Sequence, residues 1–146
     1  MHEMKNWLEN NNRMKIASVS IDRIQKIEKN HLFPKAYKEF LFLSGDDFLP
    51  LPIGHSFDYL IEKKINEEAK KNLKQENIKL RSDYWVFGTT DSAIFFFYLD
   101  EGENPPIYIC DFDYTDEPQN EYLFKTSNSF SEFITTFIRN YNPKNY

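Results

Sequence analysis

Ten carboxylates lie between Ser82 and Phe124, and no lysine, arginine or histidine lies among them. All 18 bases and the other 13 acids fall outside this stretch, so it carries a charge of −10 against +5 for the rest. Two carboxylates brought together can do general acid and base work, so a hydrolase is one chemistry to weigh. Such an enzyme would show turnover that dies on one carboxylate substitution. The plainer reading of acids at this density is solvated loops and strand ends. Asp111, Asp113 and Thr115 open like a calcium loop, but Asp116 stands where an EF-hand needs glycine and Tyr122 where it needs its bidentate glutamate, which excludes that motif. Cys110 would need a histidine beside it to act as a nucleophile. It falls inside a strand pattern, where a free cysteine is ordinarily packing. His2, His31 and His55 form no His-x-x-x-His pair, and the chain has four glycines, no Gly-x-Ser-x-Gly and no phosphate-binding loop. The residues therefore predict no catalytic group, no metal, no cofactor and no enzyme.

Binding is the better prospect. Lys63, Lys64, Lys70, Lys71, Lys74, Lys79 and Arg81 form the one basic cluster, but Glu62, Glu67, Glu68 and Glu76 are interleaved with them, as on a solvated helix face. With a net charge of −5, the chain is not expected to bind nucleic acid or an anionic membrane. The acidic stretch is different, because aromatics run through it: Tyr108, Phe112, Tyr114 and Tyr122. Rings inside a field of one charge suit a protein interface, and the charge speeds capture of a basic partner. Asp111, Asp113, Tyr114, Asp116 and Glu117 are the expected partner contacts. The competing reading is that these acids only keep an aromatic-rich sheet soluble.

The elements that must position them follow from periodicity. The chain has 146 residues, 14 of them Phe, 9 Tyr and 2 Trp, enough for one domain with a ring-rich core. Residues 1–19 read as a polar arm with a helical turn around Trp7 and Leu8. Ser20 can cap a short helix with Ile21, Ile24 and Ile27 on its apolar face. Pro34 starts a second, with Tyr37, Phe40, Leu41 and Ser44 at helical spacing and Gly45 as its stop. Residues 46–56 read as loop. A charged helix is expected from about Phe57 to Lys79, with a thin stripe of Ile61, Ile65, Ala69 and Leu73. The period then changes. Tyr84 to Phe87, Ala93 to Leu99, Pro106 to Phe112 and Glu121 to Lys125 read as strands, with Ile107 and Ile109 on one face and Tyr108 and Cys110 on the other. Short links predict antiparallel hairpins. Ser129 to Glu132 is a capping box, opening a helix that presents Phe130, Phe133, Ile134, Phe137, Ile138 and Tyr141. The class is α+β: helices, an antiparallel meander of about four to six strands, and a closing helix on the sheet. The longest apolar run, Ala93 to Leu99, falls far short of the ~20 residues of a membrane span, and the start has no apolar signal core, so the chain reads as cytoplasmic.

This order resembles the SUKH superfamily, the domain of Smi/Knr-type regulators of cell-wall glucan synthesis and of many bacterial toxin-immunity proteins. Ser20 to Glu28 is similar to the family's first helix. Phe33-Pro34-Lys35-Ala36-Tyr37-Lys38-Glu39-Phe40-Leu41 is similar to its Pro-x-x-Tyr-x-x-Phe-Leu signature, with Ser44-Gly45 where Asn-Gly is usual. Tyr84 to Gly88, Phe95 to Asp100 and Ile107 to Asp113 resemble its meander, and Ser129 to Ile138 its closing helix. Thr89-Thr90-Asp91-Ser92 replaces the glycine turn found in many members. The resemblance spans about residues 20–140, giving a polar arm over 1–19, the SUKH-like domain over 20–140 and a tail over 141–146. It implies a non-enzymatic bacterial immunity protein that blocks the basic active cleft of a cognate toxin, or else a regulator or scaffold of cell-wall synthesis. Neither the partner nor the oligomeric state follows from it.

Overall fold

A computed structural model describes residues 18–28, 32–44, 57–116 and 121–140, together with His2, Lys5, Asn6 and Asn10. The helical turn at Trp7 and Leu8, His31, Gly45, the 46–56 loop with His55, Glu117 and the tail from Tyr141 lie outside the described residues. Among the described residues five helices and four strands with defined bounds follow in order: α1 (Ile21–Glu28), α2 (Lys35–Ser44), α3 (Phe57–Glu62), α4 (Ile65–Gln75), β1 (Tyr84–Thr89), β2 (Ala93–Tyr98), β3 (Ile107–Asp111), β4 (Leu123–Ser127) and α5 (Phe130–Asn140). The strands form one antiparallel meander, β1-β2-β3-β4. The expected α+β class is the observed one.

Strand alternation divides the core in two. On one face Trp85, Phe87, Phe97 and Ile107 pack with α1, α2 and α5. On the other Val86, Ile94, Phe96, Tyr98 and Cys110 pack with Leu60, Ile65, Ala69 and Leu73 of α3 and α4. β2 is thus covered on both sides, as its unbroken apolar run predicts. Tyr37 centres the first face. Its ring meets Phe33, Phe97 and Phe130 edge-on at centroid distances of 5.2, 5.1 and 5.5 Å. Its hydroxyl accepts a hydrogen bond from Trp85 Nε1 at 3.1 Å, and burial holds the phenol far above its ordinary pKa. Edge-on pairs of this kind add about 0.5–1.5 kcal/mol each beyond area burial.

Several expectations are corrected. The helix expected over Phe57 to Lys79 is two helices, broken where Lys64 takes a left-handed conformation (φ 52°). The break lets the pair wrap around the β1 edge: Phe57 joins the first core face, and Leu60 and Ile65 the second. Ile21 does not share the buried face of Ile24; it is 56% exposed. β4 runs from Leu123 to Ser127, two residues later at each end than expected, and Asp111 N–H donates to Tyr122 O at 2.7 Å in the same register just ahead of it. The β1–β2 hairpin closes without a glycine turn: Thr90 N–H donates to Ala93 O at 2.9 Å, and Thr90 Oγ1 accepts from Ala93 N–H at 3.1 Å.

Candidate functional site

A meander sends its turns alternately to the two ends of the sheet. The β2–β3 loop, with Asp100, Glu101 and Glu103, lies at one end. The β1–β2 turn, with Asp91, and the β3–β4 connection, with Asp111, Asp113, Asp116 and Glu121, lie at the other.

At the first end the acids are bound into the fold. Arg81 reaches Asp100 at 3.2 Å and Glu101 at 2.8 Å, with its guanidinium 4.0 Å over the Tyr98 ring. The same Glu101 oxygen accepts from the Tyr108 hydroxyl at 2.9 Å; burial first, and then this bond, raises the Tyr108 pKa. Helix α2 begins after Pro34 without a Ser, Thr, Asp or Asn to cap it. Glu103 supplies the cap from across the chain: its carboxylate accepts from Lys35 N–H at 2.7 Å and its carbonyl from Ala36 N–H at 2.9 Å. Asn104 holds the start of α5 in turn, donating to Ser131 Oγ at 2.7 Å and accepting from Ser131 N–H at 3.0 Å. Gly102, at φ +85°, makes the turn between these ties. Neither Glu103 nor Asn104 was singled out from sequence; the only signal was a helix start lacking its own cap.

At the second end β3 runs into a single 3-10 turn, Phe112–Tyr114. The Asp111 carboxylate accepts from Asp113 N–H at 3.1 Å and so caps that turn. Phe112 N–H donates to Ser92 O at 2.8 Å, which docks the turn beside the β1–β2 hairpin. The Thr115 hydroxyl lies 3.0 Å from Glu76 Oε2 and 3.1 Å from Phe112 O, which ties it to the end of α4. Asp113, Asp116 and Glu121 are exposed, and Tyr114 is 43% exposed. Among the described residues no base forms an ion pair with any acid at this end. Beside the turn a cleft of about 260 Å³ opens between α4 and the hairpin, lined by Tyr59, Glu68, Asn72, Asp91 and Phe112 among others. Four of the five expected contacts, Asp111, Asp113, Tyr114 and Asp116, thus share one turn.

The other candidates take ordinary places. Cys110 is fully buried, and burial, with Asp111 and Glu76 adding negative charge, pushes its thiol up to about 11, away from nucleophilic use at neutral pH. Arg81, grouped in the sequence with the lysines, belongs instead to the Asp100–Glu101 pair. Lys70, Lys71 and Lys74 are exposed on α4 among exposed Glu67 and Glu68. Among the described residues no three His, Cys, Asp or Glu side chains are grouped to hold a metal ion, and no helix is long and apolar enough to cross a membrane.

Among curated proteins, no sequence matches the chain. The family model described as the SMI1 / KNR4 family (SUKH-1) matches residues 18–136, from the residues just ahead of α1 to most of α5. That match spans both core faces and both ends of the sheet, and the chain belongs to the SMI1/KNR4 (SUKH-1) family.

Proposed function

We propose that this chain is a non-enzymatic binding protein of the immunity kind, which occupies the basic active cleft of a cognate bacterial toxin in the cytoplasm. The observation that carries the reading is the turn from Asp111 to Asp116. Its carboxylates have no cationic partner among the described residues, and an exposed Tyr114 stands among them. Toxins that cut nucleic acid are basic because their substrate is a polyanion, and a fixed row of carboxylates mimics that charge. The tyrosine supplies rigid apolar contact area, the usual source of interface affinity. Membership of the family is compatible with this reading and equally with the regulator of cell-wall synthesis.

Isolation of the protein from its own cells at low and high salt separates the two. A basic protein should co-elute at low salt, thin at high salt, and prove toxic when expressed without this chain. An envelope or synthesis protein that co-elutes at both, with no toxicity of its own, overturns the immunity reading and favours the regulator.

A further inference from the structure

A cavity of about 740 Å³ between α1 and the α3–α4 junction is rimmed by both signs of charge, Arg23, Lys26 and Lys64 against Asp22 and Glu67, and so selects neither. The cleft of about 260 Å³ between α4 and the β1–β2 hairpin is different, because no base lines it. Glu68 lines it from α4 and Asp91 from the hairpin turn. Neither carboxylate forms an ion pair among the described residues. Asn72, one helical turn on from Glu68, is half-buried in the same wall. Two rings complete the lining: Tyr59 of α3, 40% exposed, and the half-buried Phe112 of the 3-10 turn.

The walls are held by bonds within the fold. Phe112 N–H to Ser92 O fixes the 3-10 turn to the hairpin, and the Thr115 hydroxyl against Glu76 fixes it to the end of α4. The two bonds between Thr90 and Ala93 close the hairpin itself. A cleft formed in advance spares a partner the cost of ordering it. Its size limits the occupant. A helix about 10–12 Å across does not enter so small a space, whereas one long side chain does.

The lining chooses among long side chains. Carboxylates on two walls with an amide beside one of them call for a cation with several donors, and aromatic walls call for a flat one. Guanidinium has five N–H donors in a fixed plane, stacks on rings and is more weakly hydrated than ammonium. We infer that this cleft is an anchor pocket for one arginine side chain of a basic protein partner, held between Glu68 and Asp91 and against the aromatic wall. The exposed acids Asp113 and Asp116 belong to the turn that carries Phe112, so the field that captures the partner leads to the pocket that anchors it. This rests on the reading of the partner as a basic protein and names the group that it inserts.

The test is an amide-resolved NMR titration of the full chain with blocked Gly-Arg-Gly, its lysine counterpart and its citrulline counterpart, which keeps the shape of arginine without the charge. The arginine peptide should shift the amides of Glu68, Asn72, Asp91 and Phe112 along one saturable curve. The lysine peptide should bind at least about threefold more weakly, and the citrulline peptide at least about tenfold. Glu68→Gln combined with Asp91→Asn, both at exposed positions, should weaken the arginine peptide by about tenfold or more. Asp116→Asn, outside the cleft, should weaken it by less than about threefold. The wild-type titration decides the matter even if the double variant is unstable. Shifts that do not saturate, shifts centred on Asp113 and Asp116, or equal binding of the lysine and arginine peptides overturn the pocket. A basic toxin that binds the double variant as tightly as the wild type removes this inference and leaves the immunity reading intact. A cleft that the arginine peptide saturates, in a protein whose native partner is an envelope protein, does the reverse.

Discussion

The two ends of the sheet use the same residue type for opposite purposes. Asp100, Glu101 and Glu103 are spent on the fold itself: two hold Arg81, and the third caps α2. Asp113, Asp116 and Glu121 make no ion pair among the described residues, and Asp111 caps only its own short turn. Both ends come from one uninterrupted acidic stretch, so composition cannot distinguish them. Connectivity does. The β2–β3 loop passes the N-termini of α2 and α5, where partial positive charge makes a carboxylate or amide oxygen stabilising. The β3–β4 connection passes the C-terminal end of α4 instead, where an acid has nothing to gain, and Glu76 shares that end.

The largest effect that tests this contrast is on binding. Replacing Asp111, Asp113, Asp116 and Glu117 together by their amides should slow association with a basic partner by about tenfold to a hundredfold at low salt and flatten the salt dependence. Asparagine still caps the 3-10 turn at position 111, so the melting temperature should hold. Stopped-flow association beside a thermal melt reads both; an unchanged rate removes this end from the interface. The opposite end should behave the opposite way. Glu103→Ala removes the acceptor for Lys35 N–H and should cost about 1–2 kcal/mol, a fall of roughly 2–8 °C in melting temperature for a domain of this size. Glu103→Gln keeps an acceptor and should recover most of it, and neither variant should alter association.

How far these roles were legible in the sequence follows from which interactions are local. The α5 cap is local, and half of the box forms: Glu132 N–H donates to Ser129 Oγ at 3.2 Å, while the Glu132 carboxylate accepts from Asn128 N–H at 3.0 Å, one residue ahead of the Ser129 N–H that the full box uses. The strand faces were legible because alternation is local; Ile107 and Cys110 fall on the two faces expected. The division of the acids was not, because Glu103 and Lys35 meet 68 residues apart. The break at Lys64 was hidden for a related reason. Lys63 and Lys64 are good helix formers, and the stripe of Ile61, Ile65, Ala69 and Leu73 keeps helical spacing straight through the break. What breaks the helix is the edge of β1, where Asn66 must reach Val86.

Cys110 gives a smaller effect, tied to the proximity of the Asp111 turn. Its folded pKa, about 11, stands above the ordinary 9.0. The folded state therefore keeps a proton that the unfolded chain loses. This stabilisation is full below pH 9 and drains away as pH rises toward 11. Alkylation of the native protein at pH 8 should be far slower than that of the unfolded chain. Asp111→Asn should speed it slightly, since Asp111 is the second cause of the shift, after burial. Equal rates in native and unfolded protein would mean that the β3–β4 end opens as readily as it melts.

The smallest effect is the one that could dissolve the contrast. Arg81→Gln leaves Asp100 and Glu101 without their cation and should make the quiet end of the sheet as acidic as the other. A strand of this length separates the ends by about 17–20 Å, roughly two Debye lengths at physiological salt. If the partner engages only the Asp111–Asp116 end, the added charge is screened, and association should rise by less than about twofold. A severalfold rise would mean that the partner reaches around the sheet to Asp100. The ends would then differ only because one arginine masks one of them. A fall would be informative too. Glu101 Oε2 is buried without a partner among the described residues, so losing Arg81 also loosens the β2–β3 loop. A melt of the same sample shows whether slower association follows from that loosening or from a contact that Arg81 itself makes.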